Sequence, residues 1–187
     1  MHLMPADISE REQNNLAEKT PFQRSRVKVG SKNRQMPALG SRFGGWVLSS
    51  RIGRGGNGTV WLGKKDGVRD VAIKALSRIS PTGLARFRSE IEALKLVRGV
   101  DGIVPILEDH LESPVRYEQP WYSMPVAQPF SSHMGGLDPQ AIVREFGKLA
   151  LTLRELHRRE IFHRDIKPTN ILVLNNRLCF TDFGLVK

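Results

Sequence analysis

The sequence predicts an α+β fold in two parts, rich in strands first and helical afterwards. Strand-like runs separated by Gly, Asp-Gly and Pro crowd the first part, from Phe43 to Ala127. Two longer segments, 81–97 and 138–157, instead repeat apolar residues at helical spacing. The 187 residues suffice for one domain of ordinary size plus a tail, and 40% hydrophobic residues suffice for a core.

Residues 1–42 are polar and unpatterned, with seven basic residues and no acid between Lys19 and Gly45. They read as a basic, disordered arm. From Phe43 the texture changes. Trp46-Val47-Leu48 is an expected strand, followed by a glycine loop and a second strand, Thr59–Leu62. Asp66-Gly67 marks a turn, and Val71-Ala72-Ile73 a third strand. Pro81 to Val97 is an expected helix, since Phe87, Ile91 and Leu94 recur at spacings of four and three. Gly102–Glu108 and Trp121–Val126 read as two further strands. Asp138 followed by Pro139 is a helix start, a capping carboxylate and then proline at the first helical position. Ile142, Phe146, Leu149, Leu153 and Leu156 keep one face of that helix apolar to about His157. Two short strands, Ile171–Leu174 and Leu178–Thr181, flank an Asn175-Asn176 turn.

The formal charge is +10, from 29 Lys and Arg against 19 Asp and Glu, which favours anionic partners such as nucleotides. The basic arm lacks interleaved aromatics and an amphipathic period, so specific nucleic-acid binding is not predicted. A single cysteine, Cys179, excludes an intrachain disulfide and fits a cytoplasmic location. No run of eighteen apolar residues is present to span a membrane.

Gly53-x-Gly55-x-x-Gly58 alone is a weak signal, because many turns contain such glycines. The residues after Gly58 discriminate. A dinucleotide fingerprint would lead into a helix, whereas Gly58 leads into the β pattern Thr59–Leu62. The loop therefore reads as a hairpin lid over phosphates. Alternation along Val71-Ala72-Ile73-Lys74 puts Ala72 and Lys74 on one face. Ala72 leaves room for a flat base, and Lys74 points under the loop. A buried ammonium needs a partner. Glu90 lies at the edge of the Phe87, Ile91, Leu94 stripe, while Glu92 falls toward solvent, so Glu90 is the carboxylate expected to reach Lys74.

His163-Arg164-Asp165-Ile166-Lys167-Pro168-Thr169-Asn170 follows the long helix, and Asp182-Phe183-Gly184 comes later. Asn170 and Asp182 can supply oxygen ligands to Mg²⁺, which shares its shell with phosphates. Asp165 can accept a proton from an attacking hydroxyl, and Lys167 can neutralise a transferring phosphoryl group. His163 reads as a structural hydrogen-bonder.

Taken together, IGRGGNGTV at 52–60, VAIK ending at Lys74, Glu90, HRDIKPTN at 163–170 and DFG at 182–184 resemble the eukaryotic-type protein kinase family. The resemblance covers residues 43–187. It implies a protein-kinase-like fold with a β-rich N-lobe and hinge at 43–127, one main helix, and the first part of a helical C-lobe at 128–187. It implies ATP and Mg²⁺ as cofactors and a protein with Ser or Thr hydroxyls as substrate. Asp165 would be the base, Asn170 and Asp182 the Mg²⁺ ligands, and Lys74 with Glu90 the holder of the α- and β-phosphates. Met124 would be the gatekeeper and Pro125-Val126-Ala127 the hinge. Ile52, Val60, Ala72 and Leu172 would sandwich adenine, with Val126 beside them, under the lid of Gly53, Gly55 and Gly58. Lys167, two residues after Asp165, resembles the Ser/Thr branch, and Arg164 resembles kinases controlled by activation-loop phosphorylation.

The family continues past Asp-Phe-Gly with an activation segment and a larger helical lobe. The chain thus reads as a fragment, an incomplete gene record being favoured over truncation or a split protein. Two other functions compete: a truncated, non-catalytic ATP-binding pseudokinase, and a small-molecule kinase of the aminoglycoside or choline type. The compact glycine loop, VAIK and the Lys167 spacing weigh against the latter.

Overall fold

The structure, a computed structural model, describes residues 37–55, 58–111, 119–134, 136 and 138–183. Its elements in chain order are β1 (Arg42–Phe43), β2 (Trp46–Arg54), β3 (Gly58–Lys65), β4 (Val68–Leu76), α1 (Pro81–Leu96), β5 (Asp109–His110), β6 (Trp121–Pro125), β7 (Gln128–Pro129), α2 (Phe130–Met134), α3 (Pro139–Arg158), β8 (Ile171–Leu174) and β9 (Arg177–Phe180). A single 3₁₀ turn, Pro168–Asn170, precedes β8. Six strands form one antiparallel sheet in the order β1-β2-β3-β4-β6-β5, and three form a second, β7-β8-β9.

The large sheet is covered on both faces, as the alternation of β4 requires. Val71, Ile73 and Ala75 pack with Phe43, Trp46, Leu48 and Trp121. Ala72 and Leu76 point the other way, into a core with Phe87, Ile91 and Leu94 of α1 and with Tyr122 and Met124 of β6. Phe87 and Ile91 are fully buried, each contributing about 2 kcal/mol by removing its side chain from water. The same core continues through Leu149 and Leu156 of α3 to Leu178, Phe180 and Phe183.

Both helix starts are capped, the second by Asp138 as the sequence predicts. Gly83 N–H donates to Ser80 Oγ (3.0 Å) ahead of α1. Gln140 and Ala141 N–H donate to Asp138 Oδ1 at 2.7 and 3.1 Å ahead of α3. Asn175 and Asn176 take φ of 51° and 60°, the left-handed pair that a two-residue hairpin needs.

Three expectations change. Gly102–Glu108 is extended but is no strand, because it switches partners midway. Phe180 N–H donates to Gly102 O (2.8 Å) and Val104 N–H to Phe180 O (3.0 Å), whereas Leu107 N–H donates to Ser123 O (2.9 Å). Pro105, between these bonds, has no N–H to continue a ladder. Only Asp109–His110 pairs regularly, against Trp121 and Tyr122. The last strand of the large sheet ends at Pro125, one residue before Val126. Finally, residues 37–42, read with the arm, are ordered. Ser41 N–H donates to Ala38 O (3.0 Å), Leu48 N–H to Ser41 O (2.9 Å), and Arg42 pairs with Val47. The rest of the expected arm lies outside the described residues.

Candidate active site

Sheet register builds the first half of the site. Lys74 on β4 stands opposite Val60 on β3 and Tyr122 on β6, and Ala72 stands opposite Met124. Lys74 is only 5% exposed. Its ammonium pairs with the Glu90 carboxylate of α1 and lies 3.3 Å from Asp182 Oδ1. Glu90 is fully buried and Glu92 is exposed, as the helical stripe predicts. Burial alone would lower the Lys74 pKa; the Glu90 and Asp182 carboxylates outweigh it and hold it raised. The ammonium therefore stays charged at any physiological pH.

The glycine loop closes over this point. A Cβ at Gly55 would stand 3.8 Å from Asp182 Oδ2, so the loop backbone passes directly above that carboxylate. A Cβ at Gly58 would stand 2.7 Å from Ala75 O, closer than real contacts allow, which explains glycine where the hairpin meets β4. Gly53 pairs with Val60 across the hairpin.

The second half lies between α3 and β9. Asn170 donates from Nδ2 to the backbone oxygen and to Oδ2 of Asp165, both at 2.9 Å. Lys167 Nζ donates to Asp165 Oδ2 at 2.7 Å. The Lys167 hydrogen bond, with that of Asn170, lowers the Asp165 pKa below its usual range. Thr181 N–H donates to Asn170 O (3.0 Å), which ties this loop to the segment carrying Asp182. His163 is buried, and its Nε2 donates to Thr181 O (3.0 Å), the structural role expected. Its rings of contact are Phe180 and Phe183, with centroids at 5.3 and 4.8 Å. Burial lowers the His163 pKa. Arg164 and Asp182 adopt φ of 60° and 65°, a left-handed backbone that costs a non-glycine residue about 1–3 kcal/mol.

The residues expected around a base divide by exposure. Ala72 and Met124 are buried, and Val60 and Leu172 pack against the same core. Ile52 and Val126 are 47% and 40% exposed, at the rim. Gly184 lies outside the described residues.

The sequence profile of the protein kinase domain matches residues 46–187. The chain belongs to the protein kinase family. Its relatives include the serine/threonine-protein kinase Pkn1 of Myxococcus xanthus, 33% identical over 82% of this chain and 23% of that protein. AfsK of Streptomyces griseus is 29% identical over 77% of this chain and 18% of its own length. PknD of Mycobacterium tuberculosis is 28% identical over 81% and 24%. The kinase chain thus spans about a fifth of the length of these relatives. Protein kinase domains as a class use ATP and a divalent metal ion. No helix among the described residues is long and apolar enough to cross a membrane.

One residue of the site escaped the sequence reading. Tyr122, 1% exposed, donates its hydroxyl to Glu90 Oε1 at 2.7 Å. Its signal was its place two residues before Met124, and hence on the same strand face. Burial, and then the Glu90 carboxylate, push its pKa well above the usual phenol range, so it remains a donor.

Proposed function

We propose that this chain carries the catalytic site of a serine/threonine protein kinase that transfers the γ-phosphoryl group of ATP, with Mg²⁺, to Ser or Thr hydroxyls of proteins. The carrying observation is the meeting of Lys74, Glu90 and Asp182, from a strand, a helix and a loop, beneath the backbone of Gly55.

The donor set fits Mg²⁺. Asn170 spends its amide N–H groups on Asp165, leaving its amide oxygen for a cation. Asp182 is partly exposed, and its Oδ2 lies under the glycine loop. Mg²⁺ takes one or two such oxygens and completes its shell with water and phosphate. When bound, it supplies neutralisation of the charge on the β- and γ-phosphates.

The chain's own residues do the rest. Lys74, held by Glu90, meets the α- and β-phosphate oxygens. Ala72, Met124, Val60 and Leu172 enclose adenine, with Ile52 and Val126 at the mouth. Asp165, kept ionised by Lys167 and Asn170, accepts a hydrogen bond from the substrate hydroxyl and takes its proton as the new P–O bond forms and the bond from the γ-phosphorus to the β,γ-bridging oxygen breaks, with ADP as the leaving group. Lys167, half exposed beside it, can turn to the transferring phosphoryl oxygens. Its position two residues after Asp165, and the printed names of the relatives, support the Ser/Thr assignment. The cytoplasmic location expected from the lone Cys179 belongs to the same proposal.

The test is phosphate transfer by the full-length product of the gene, assayed with Mg²⁺-ATP and a Ser/Thr-containing protein. Asp165→Asn keeps the shape of the side chain and removes its negative charge, and is expected to lower transfer by at least about a hundredfold, the scale of a general base. Transfer retained in that variant sinks the role given to Asp165.

A further inference from the structure

Tyr122 contacts both members of the Lys74–Glu90 pair and the helix that carries Glu90. It stands directly across the sheet from Lys74, and the Lys74 ammonium lies 5.8 Å from the centre of its ring. The ring packs on Phe87 of α1, with centroids 5.6 Å apart, close to one turn before Glu90. The hydroxyl donates to Glu90 Oε1, the same oxygen that Lys74 uses. The other oxygen, Oε2, is buried and has no hydrogen-bond partner among the described residues. Both donors to this carboxylate therefore come from the sheet, and both act on one atom.

This arrangement matters because α1 rests on the sheet by side-chain packing, whereas β4 and β6 are joined by backbone hydrogen bonds. A helix held that way can rotate or slide. If Glu90 left, the Tyr122 hydroxyl would be stranded in an apolar core without an acceptor, a cost larger than the hydrogen bond's own net worth. The phenol thus biases the equilibrium toward the paired state with no nucleotide required.

Resting on the kinase reading above, we propose that Tyr122 is a positioning residue. Its hydroxyl fixes the Glu90 carboxylate against Lys74 and so pre-sets the lysine for the phosphates of ATP. Its high pKa keeps the donor proton in place across the working pH range.

The experiment is a double-mutant cycle in the full-length gene product: wild type, Tyr122→Phe, Glu90→Ala and both together. Each is assayed for kcat and KM toward Mg²⁺-ATP and for thermal unfolding. Tyr122→Phe keeps the ring, its packing on Phe87 and its contact with Lys74, and removes only the hydroxyl. The expected result is a fall in kcat of about tenfold or more, the scale of a hydrogen bond to a charged group. KM for ATP stays within about threefold, because the residues around the base are untouched. In the Glu90→Ala background the same change has less than about a twofold effect, since its acceptor is gone.

Three outcomes overturn the proposal. One is a Tyr122→Phe enzyme within twofold of wild type. Another is an equal loss in both backgrounds, which points to ring packing alone. The third is loss of the folding transition in Tyr122→Phe and Tyr122→Leu alike, which makes Tyr122 a core residue only. Asp165→Asn runs in parallel. Absence of transfer in the wild-type gene product overturns the kinase reading, and transfer that survives Asp165→Asn overturns the role of Asp165, while abolished transfer in Asp165→Asn beside a wild-type-like Tyr122→Phe overturns the positioning role alone.

Discussion

Asp165 sits between two donors that tune it, and the pair sets a pH dependence. Lys167 Nζ at 2.7 Å and Asn170 Nδ2 at 2.9 Å both bond its Oδ2. They favour the carboxylate over the acid, so its pKa lies below the ordinary value of 3.8. Activity that needs the carboxylate is therefore present at neutral pH and lost only in strong acid. Replacing Lys167 with Ala removes the larger stabiliser of the anion, and the pKa rises. The acid limb of kcat/KM against pH is expected to move to higher pH in Lys167→Ala, with a lower plateau as well. A limb at the same pH in both proteins means that Asp165 is not the group being titrated. The Lys74–Glu90 pair follows a different logic. It is fully desolvated, and a buried ion pair gains little net stability over apolar residues of similar size. Its presence deep in the core is better explained by what the ammonium does than by what it contributes to folding.

At the scale of elements, the segment 101–104 clips α3 to β9. Thr152 Oγ1 of α3 donates to Asp101 O at 2.8 Å, while Gly102 and Val104 bond Phe180 on the other side. Gly102 has φ of 80°, and a Cβ there would stand 2.2 Å from Thr152 Oγ1. Gly102→Ala must both strain the backbone and push α3 away, at a cost of about 2 kcal/mol or more. Thermal or urea unfolding of the variant checks this, and an unchanged midpoint rules the clip out as a stabilising contact. The clip also explains what could and could not be read from the sequence. The cap at Asp138, the helix faces and the β4 alternation are local patterns, so they were legible. So was Glu90 as the partner of Lys74, because helical phase separates it from Glu92. Residues 102–108 look like a strand from their apolar content, but their partners, Phe180 and Ser123, lie far along the chain on two different sheets. Tyr122 was missed for a related reason. Its role depends on the register of β4 against β6, and no periodicity within one strand reveals that register.

Across the whole molecule, the two halves of the site come from different sheets, and His163 lies where the second half is held together. Its ring is buried against Phe180 and Phe183, and its Nε2 bonds Thr181 O, next to Asp182. The end of β9 and the segment on either side of Asp182 thus pack on one imidazole, two residues before Asp165. Burial disfavours its protonated form, so its folded pKa is lowered from 6.5. The unfolded chain therefore binds a proton more readily than the folded one as pH falls. The stability associated with neutral His163 is complete above about 6.5 and is lost progressively as pH falls from there through the lowered folded value. Protonation would place a charge in this buried site, while Nε2–H would still donate to Thr181 O. His163→Gln cannot titrate in this range. Unfolding free energies of the wild type and this variant, measured in urea between about pH 8 and pH 5, are expected to diverge in slope, the wild type losing more on the acid side. Parallel slopes would mean that His163 is not the group coupling acidity to the integrity of this site.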